Sequence, residues 1–368
     1  MEARGNTGFV GQSVPRREDH RLLRGQGQYI ADFTLPGMLH VAFVRSSMPH
    51  ARIKAIDLKR AAAAPGVHFV MSGLELANEI PPVQDQQLPL PRKWRTTIPH
   101  KIFDPRQPLL AWDKVRHVGE AVAVIVAENP YLAEDAVDLA EVDYEVLPPV
   151  VDPEAALGPD AAVLHEPNGT NLLAEFSIEK GDVAEAFANA RRTLKRRFHH
   201  HRYGAIPMEC RGVAAAHDAR TDAVTIWSST QVVHWVRREA ALTLGLPEAR
   251  VRCVALDVGG GFGVKGHVYP EDLLLPYLAR RIGRPLRWIE DRREHLQSAC
   301  QSRDQIHEAE IAFDDTGKIL AFRDAMLMDC GAWNPVGIGI PYNTASHLIG
   351  PYKMENFSVR ARVVATNK

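Results

Sequence analysis

Five glycines fall within eight residues at Gly259-Gly260-Gly261-Phe262-Gly263-Val264-Lys265-Gly266. Each removes a Cβ that would hold a neighbour at a distance, and each permits positive φ where the chain must turn. The stretch follows an alternating apolar run, Val251 to Val258. It precedes helical periodicity from Pro270 to Ile282, carried by Leu273, Leu274, Tyr277, Leu278 and Ile282. A glycine loop between strand and helix turns N–H groups outward, which suits anions or oxo groups. The spacing therefore predicts a loop that approaches a ligand closely.

Two other segments carry groups able to work beside it. In Pro207-Met208-Glu209-Cys210-Arg211-Gly212, an extended backbone puts Glu209 and Arg211 on one side. That predicts an ion pair between them, with a general-base role for Glu209 left open. Gln231 ends the strand-like Trp227-Ser228-Ser229-Thr230 and precedes an amphipathic helix over Val232 to Leu244. At a strand's C-terminal end its amide offers a donor and an acceptor on a short reach.

A dinucleotide-binding reading stays open. Gly261 to Gly266 matches G-x-G-x-x-G, and Glu290, after a strand over Pro285 to Ile289, stands near the place of a ribose-binding acid. Against it, Pro270 and Pro276 are expected to disturb the docking helix. The chain then continues as a hairpin over 309–322, turning at Asp314-Asp315-Thr316-Gly317, and not as a βαβα series. A P-loop is excluded because no Ser or Thr follows Lys265. The basic run from Arg191 to Arg202 holds His199, His200 and His201, but consecutive strand residues alternate faces. It predicts a half-exposed basic strand and no metal site.

The elements that position these groups divide the chain. An extended polar arm covers 1–20 and an α/β domain 21–150, with strands over Leu39 to Ser46, Ala51 to Asp57 and Val67 to Met71. The prolines between Ile80 and Pro108 predict a long irregular loop. Val118 to Ala127 reads as a central strand, followed by a helix that Asn129-Pro130 caps and that runs to about Val142. Residues 151–180 read as a linker, and Gly181-Asp182 opens a second domain over 181–368. The formal charge of −1 argues against a nucleic-acid surface. Cys210, Cys253, Cys300 and Cys330 lie too far apart in sequence for a zinc or iron–sulfur motif. No apolar run reaches the length of a membrane span, so a cytoplasmic location is expected.

Together these residues resemble the molybdenum-binding large subunit of the xanthine oxidase, aldehyde oxidase and carbon monoxide dehydrogenase family. The motifs are Gly-Gly-Gly-Phe-Gly-x-Lys at 259–265, Ser-Thr-Gln at 229–231, Pro-Met-Glu-x-Arg-Gly at 207–212 and Val-Gly-Glu-Ala-Val-Ala at 118–123. The resemblance implies an α+β chain: an N-terminal α/β hammerhead domain, then the first, incomplete part of a molybdopterin-binding domain. It implies that Gln231 hydrogen-bonds an oxo ligand of molybdenum, with Gly260, Gly261, Phe262, Gly263 and Val264 closing over the cofactor. Phe262 would border the substrate, as would Gly266, which stands where purine-oxidising relatives carry a glutamate. No protein atom is expected to ligate the metal.

In such enzymes oxygen from water enters an aldehyde, an N-heteroaromatic ring or carbon monoxide. Electrons leave through [2Fe–2S] clusters to FAD, held here by partner subunits, and the pterin is expected in its cytosine dinucleotide form. The family continues beyond the position of Lys368 into further active-site residues. Either a C-terminal half on another chain completes the site or the chain is a fragment, and in both cases the isolated chain is expected to lack hydroxylase activity. Besides the dinucleotide reading, a non-catalytic assembly protein of the same fold remains open.

Overall fold

The computed structural model describes residues 8–80, 101–103, 105, 107–333 and 339–368. Its centre is the strand Ala121–Ala127, buried on both faces because its apolar residues are continuous. Val124 and Val126 enter one core with Leu39, Val41 and Phe43, whereas Ala123 and Ile125 enter a second with Val44, Ala51 and Val115.

In chain order the strands are β1 (Leu39–Arg45), β2 (Ala51–Asp57), β3 (Val67–Ser72), β4 (Lys101–Ile102), β5 (Lys114–Val115), β6 (Ala121–Ala127), β7 (Glu141–Val146) and β8 (Leu172–Lys180). They continue as β9 (Arg192–Tyr203), β10 (Gly212–Asp218), β11 (Ala223–Ser228), β12 (Val251–Val254), β13 (Leu286–Ile289), β14 (Ser302–Phe313), β15 (Ile319–Asp329) and β16 (Asn356–Val364). The helices used below are α1 (Asp19–Leu22), α2 (Pro130–Val137), α3 (Val183–Ala188), α4 (Val233–Leu244), α5 (Pro270–Ile282) and α6 (Arg292–Ser298). No helix among the described residues is long and apolar enough to cross a membrane.

Three sheets organise the described residues: β12-β11-β10-β13-β1-β6-β3, β4-β8-β16-β15-β14-β9 and β5-β2-β7. The first takes strands from both sides of residue 150, with β1 parallel to β13 through Leu39↔Leu286 and His40↔Arg287. The limits 21–150 and 181–368 thus follow chain order and do not divide this sheet. Helices α4 and α5 cover it, with Val236, Ala240, Leu244, Leu273, Leu274 and Leu278 in its core.

Several expectations change. The supposed linker 151–180 ends in β8, which pairs with β16 and buries Leu173, Ala174 and Phe176; its strand-forming residues were masked by the turns before it. Helix α2 stops at Val137, where β7 soon begins, and does not reach Val142. Asn129 caps it through Leu132 N, as its sequence predicts. Helix α5 continues through Pro276, so that proline does not interrupt it. Residues 81–100 of the proline-rich stretch lie outside the described residues, and β4 gives its far end regular structure. Strand β9 sits at the edge of its sheet with nearly every residue exposed, beyond the half-exposure expected.

A buried charge network joins the sheet to α5 and α6. Arg45, ending β1, meets Glu271 at 2.9 Å and Glu294 at 2.8 Å. Arg211, just before β10, meets Glu271 at 3.4 Å and donates to both oxygens of Glu290. Glu290 is fully buried, and desolvation alone would raise its pKa, but Arg211 and His295 outweigh this and bring it down from 4.5 to about 2.

A depressed carboxylate stabilises the fold above its unfolded pKa, and that stability disappears as the pH falls through the folded value. Between pH 4.5 and 2, wild-type protein should therefore lose on the order of 3 kcal/mol that a Glu290→Gln variant has already forfeited. Urea unfolding across this range checks it; equal acid slopes for both proteins would refute it.

Candidate functional site

Three chain segments meet at the glycine loop. The first is 207–212, the second is the end of β11 through Gln231, and the third is the loop itself, between β12 and α5. Its stem is anchored from the N-terminal side. Arg21 of α1 makes a two-pronged pair with Asp257, which also accepts from Gln28 N at 2.8 Å. The polar N-terminal segment thus grips the loop. At the other end Tyr269 caps α5, its N–H donating to Asp272 at 3.0 Å and its hydroxyl to Val264 O at 2.6 Å.

The glycines serve different needs. Gly260 and Gly263 adopt φ of +100° and +92°. A Cβ on Gly259 would stand 2.5 Å from Glu209 Cβ, and one on Gly261 would stand 2.5 Å from Gln231 Oε1. Gly266 has open space around it. Phe262, between two of the turning glycines, is itself left-handed at φ +53° and 77% exposed. A phenylalanine in that region is strained by about 1–3 kcal/mol, so its surroundings must hold it there.

The residues expected at the site do converge. Gln231 Oε1 accepts from Gly263 N at 3.0 Å, and Gln231 N donates to Lys265 O at 2.9 Å. Because an N–H can bond only to an acceptor, the amide oxygen must face the loop and the NH₂ must face away. Gln231 is exposed, so that donor is open to a ligand. Val264 is buried below, and Gly266 N donates to Gly263 O at 2.9 Å. The N–H groups of Gly259, Gly263, Val264 and Gly266 are all engaged inside the fold. Among the described residues those of Gly260, Gly261 and Phe262 remain for a ligand. That is a narrower cradle than the sequence suggested.

The same bonds remove the dinucleotide reading. Three N–H groups of the 261–266 match are used internally, and α5 starts only at Pro270, beyond the last glycine. Glu290 is 2% exposed and held by Arg211, out of reach of a ribose.

Glu209 and Arg211 do not pair with each other. Arg211 turns into the charge network, while Glu209 Oε2 accepts from Ser229 Oγ at 2.6 Å, Gly259 N at 2.8 Å and Lys265 Nζ at 2.8 Å. Sequence reading missed this hub, although a lysine inside a glycine-rich loop was its one available signal. Lys265 is 1% exposed, and burial lowers its pKa against the pull of Glu209. Cys210, Glu290 and His295 lie close enough together to suggest a metal. Arg211 takes both oxygens of Glu290, and the two ring nitrogens of His295 face Glu290 and Ala205 O at 2.8 Å each. The cluster is an internal bonding network. His199 and His201 share a face, their rings 4.6 Å apart, and His199 Nε2 lies 3.3 Å from Asp304.

Residues 164–368 match the model of the molybdopterin cofactor-binding domain. Residues 24–148 match that of the aldehyde oxidase and xanthine dehydrogenase a/b hammerhead domain. The 6-hydroxypseudooxynicotine dehydrogenase complex subunit gamma of Paenarthrobacter nicotinovorans is 37% identical over 98% of this chain and 44% of its own length. The carbon monoxide dehydrogenase large chain of Hydrogenophaga pseudoflava is 35% identical over 86% of this chain and 39% of its own. The structure of quinoline 2-oxidoreductase from Pseudomonas putida 86 superposes with a TM-score of 0.89 at 39% identity, over 98% of this chain and 45% of that one.

A hammerhead domain followed by a molybdopterin cofactor-binding domain marks the large, cofactor-binding subunits of molybdenum oxidoreductases. The chain belongs to the xanthine oxidase and aldehyde oxidase family of these subunits. It spans less than half the length of the three relatives named.

The contacts rank the glycines. Gly259→Ala, which drives a methyl group into Glu209, should destabilise by about 3 kcal/mol. Gly263→Ala, with positive φ and free space, should cost about 1 kcal/mol. Gly266→Ala should stay within about 0.5 kcal/mol of wild type. Thermal unfolding of the three variants checks the order.

Proposed function

We propose that this chain forms part of the catalytic subunit of a molybdenum hydroxylase that inserts water-derived oxygen into an N-heteroaromatic substrate. Aldehydes and carbon monoxide are the other substrate classes in view. The observation that carries the reading is the pairing of Gln231 with Gly263. It turns the glutamine NH₂ outward beside the glycine cradle, and a side chain at 261 would collide with the amide oxygen that makes this bond.

That geometry fits an oxo-bearing group. A strong acceptor can meet the amide of Gln231 and the unengaged N–H groups of Gly260, Gly261 and Phe262. Bound there, a molybdopterin cofactor supplies the two-electron oxidation and the activated oxygen. This chain's residues orient the group and shape one wall. Phe262, exposed above the loop, offers a ring face to a flat substrate, and Gly266 offers space instead of a carboxylate. The absence of an acid at 266 disfavours purines, while the names of two relatives, a hydroxypseudooxynicotine dehydrogenase and a quinoline oxidoreductase, favour nitrogen heterocycles.

Electrons are proposed to leave through [2Fe–2S] clusters and FAD on partner subunits. Cys210, Cys253, Cys300 and Cys330 are free thiols, only Cys253 of them lies in a strand, and their spacing matches no iron–sulfur motif. The cytosine dinucleotide form of the pterin, a cytoplasmic location, and completion of the site by residues outside this chain belong to the same proposal.

Purified with its partner subunits, the complex is expected to contain molybdenum, iron and FAD and to oxidise quinoline with oxygen from labelled water. Gln231→Leu should lower kcat about a hundredfold while metal content stays near that of the unchanged complex. A wild-type complex free of molybdenum would sink the reading.

A further inference from the structure

We propose that Glu209 and Lys265 are positioning residues, forming a buried ion pair that holds Phe262 and Gly263 in their left-handed conformations and so aims Gln231. The role rests on the reading that the loop faces a molybdenum cofactor. The bonds close a circuit. Glu209 Oε2 binds Ser229 Oγ, and two residues further on Gln231 Oε1 binds Gly263 N. Lys265, two residues after Gly263, returns to the same Glu209 oxygen through its Nζ. The carbonyl of Lys265 adds two rungs, accepting from Gln231 N and from the Thr230 hydroxyl. Gly259 N joins the hub from the loop's first residue. One carboxylate oxygen therefore fixes both feet of the loop and the strand end that carries Gln231.

The arrangement is costly enough to call for a reason. The Lys265 side chain is fully buried, and its one ion-pair partner among the described residues is Glu209. Glu209 Oε1 is buried and meets no donor among those residues. Either residue alone would leave an uncompensated charge in the interior. The strain at Phe262 gives the pair its task, because such a backbone persists only where several independent contacts dictate it.

The test uses the assembled complex carrying Glu209→Gln, Lys265→Met or Lys265→Arg, read by hydrogen–deuterium exchange. Peptides over 257–268 report the loop, and peptides over 212–228 report β10 and β11 beneath it. Glu209→Gln and Lys265→Met should speed exchange in 257–268 at least tenfold with 212–228 unchanged, and Lys265→Arg should restore most of the protection. Unchanged exchange in 257–268, or an equal rise in both regions, would overturn the proposal. If a charge variant does not fold, Ser229→Ala removes one donor without stranding a charge; it should speed loop exchange severalfold, and no change counts against the role. Enzymatically, kcat should drop with little change in KM. Molybdenum content separates the two readings. Metal present with unaltered loop exchange refutes the positioning role alone, whereas metal absent from wild type refutes the cofactor reading and leaves the exchange result standing.

Discussion

A guanidinium withdrawn from water must be met by carboxylates, and Arg211 finds them only when distant parts of the chain are together. Glu290 arrives from the end of β13 and Glu271 from the first turn of α5, and Glu271 also holds Arg45 from the end of β1. Removing one member of such a network costs about 3–5 kcal/mol, since the remaining charge has nowhere to go. The seven-stranded sheet is therefore assembled as a unit or left with stranded charges. Tyr269 and Trp288 tighten the site with their ring faces at 3.8 and 5.4 Å from the Arg211 guanidinium carbon. Arg211 lies two residues beyond Glu209, so the network that secures the sheet also sets the residue on which the glycine loop stands.

What the sequence revealed was local. The cap at Asn129, the start of α5 at Pro270 and the turn at Asp314 each depend on neighbours a few residues away, and each forms where its residues point. The convergence of Gln231 on Gly263 was legible only through the motif, because 32 residues separate them. Pairings set by topology stayed hidden. Nothing in Leu39 or Leu286 announces that they run side by side, and the alternating residues of β8 were overshadowed by Gly158-Pro159 and Asn168-Gly169 before them.

The misreading of Glu209 and Arg211 is instructive for the same reason. Extended backbone does place alternate residues on one side, but burial decides which charges they find. The nearest acid to Arg211 in sequence was the wrong one, since Glu290 and Glu271 surround its guanidinium from strand and helix ends that contain no hint of it. Glu209 in turn gained a lysine 56 residues away. For buried charges, partner choice is a property of the assembled sheet.

A glycine loop of the kind proposed to approach an oxo group faces opposing demands. It must lack side chains where the ligand comes near, yet glycines leave the chain free to take many shapes. Here the freedom at Gly260 and Gly263 is used for turns, and the resulting entropy loss is countered from below, by bonds that end on Glu209 and Gln231. The exposed surface can then be almost bare, with one ring at Phe262 and one amide at Gln231 facing outward. Rigidity and bareness coexist because the ordering contacts lie on the buried side of the loop, leaving its outer side to chemistry.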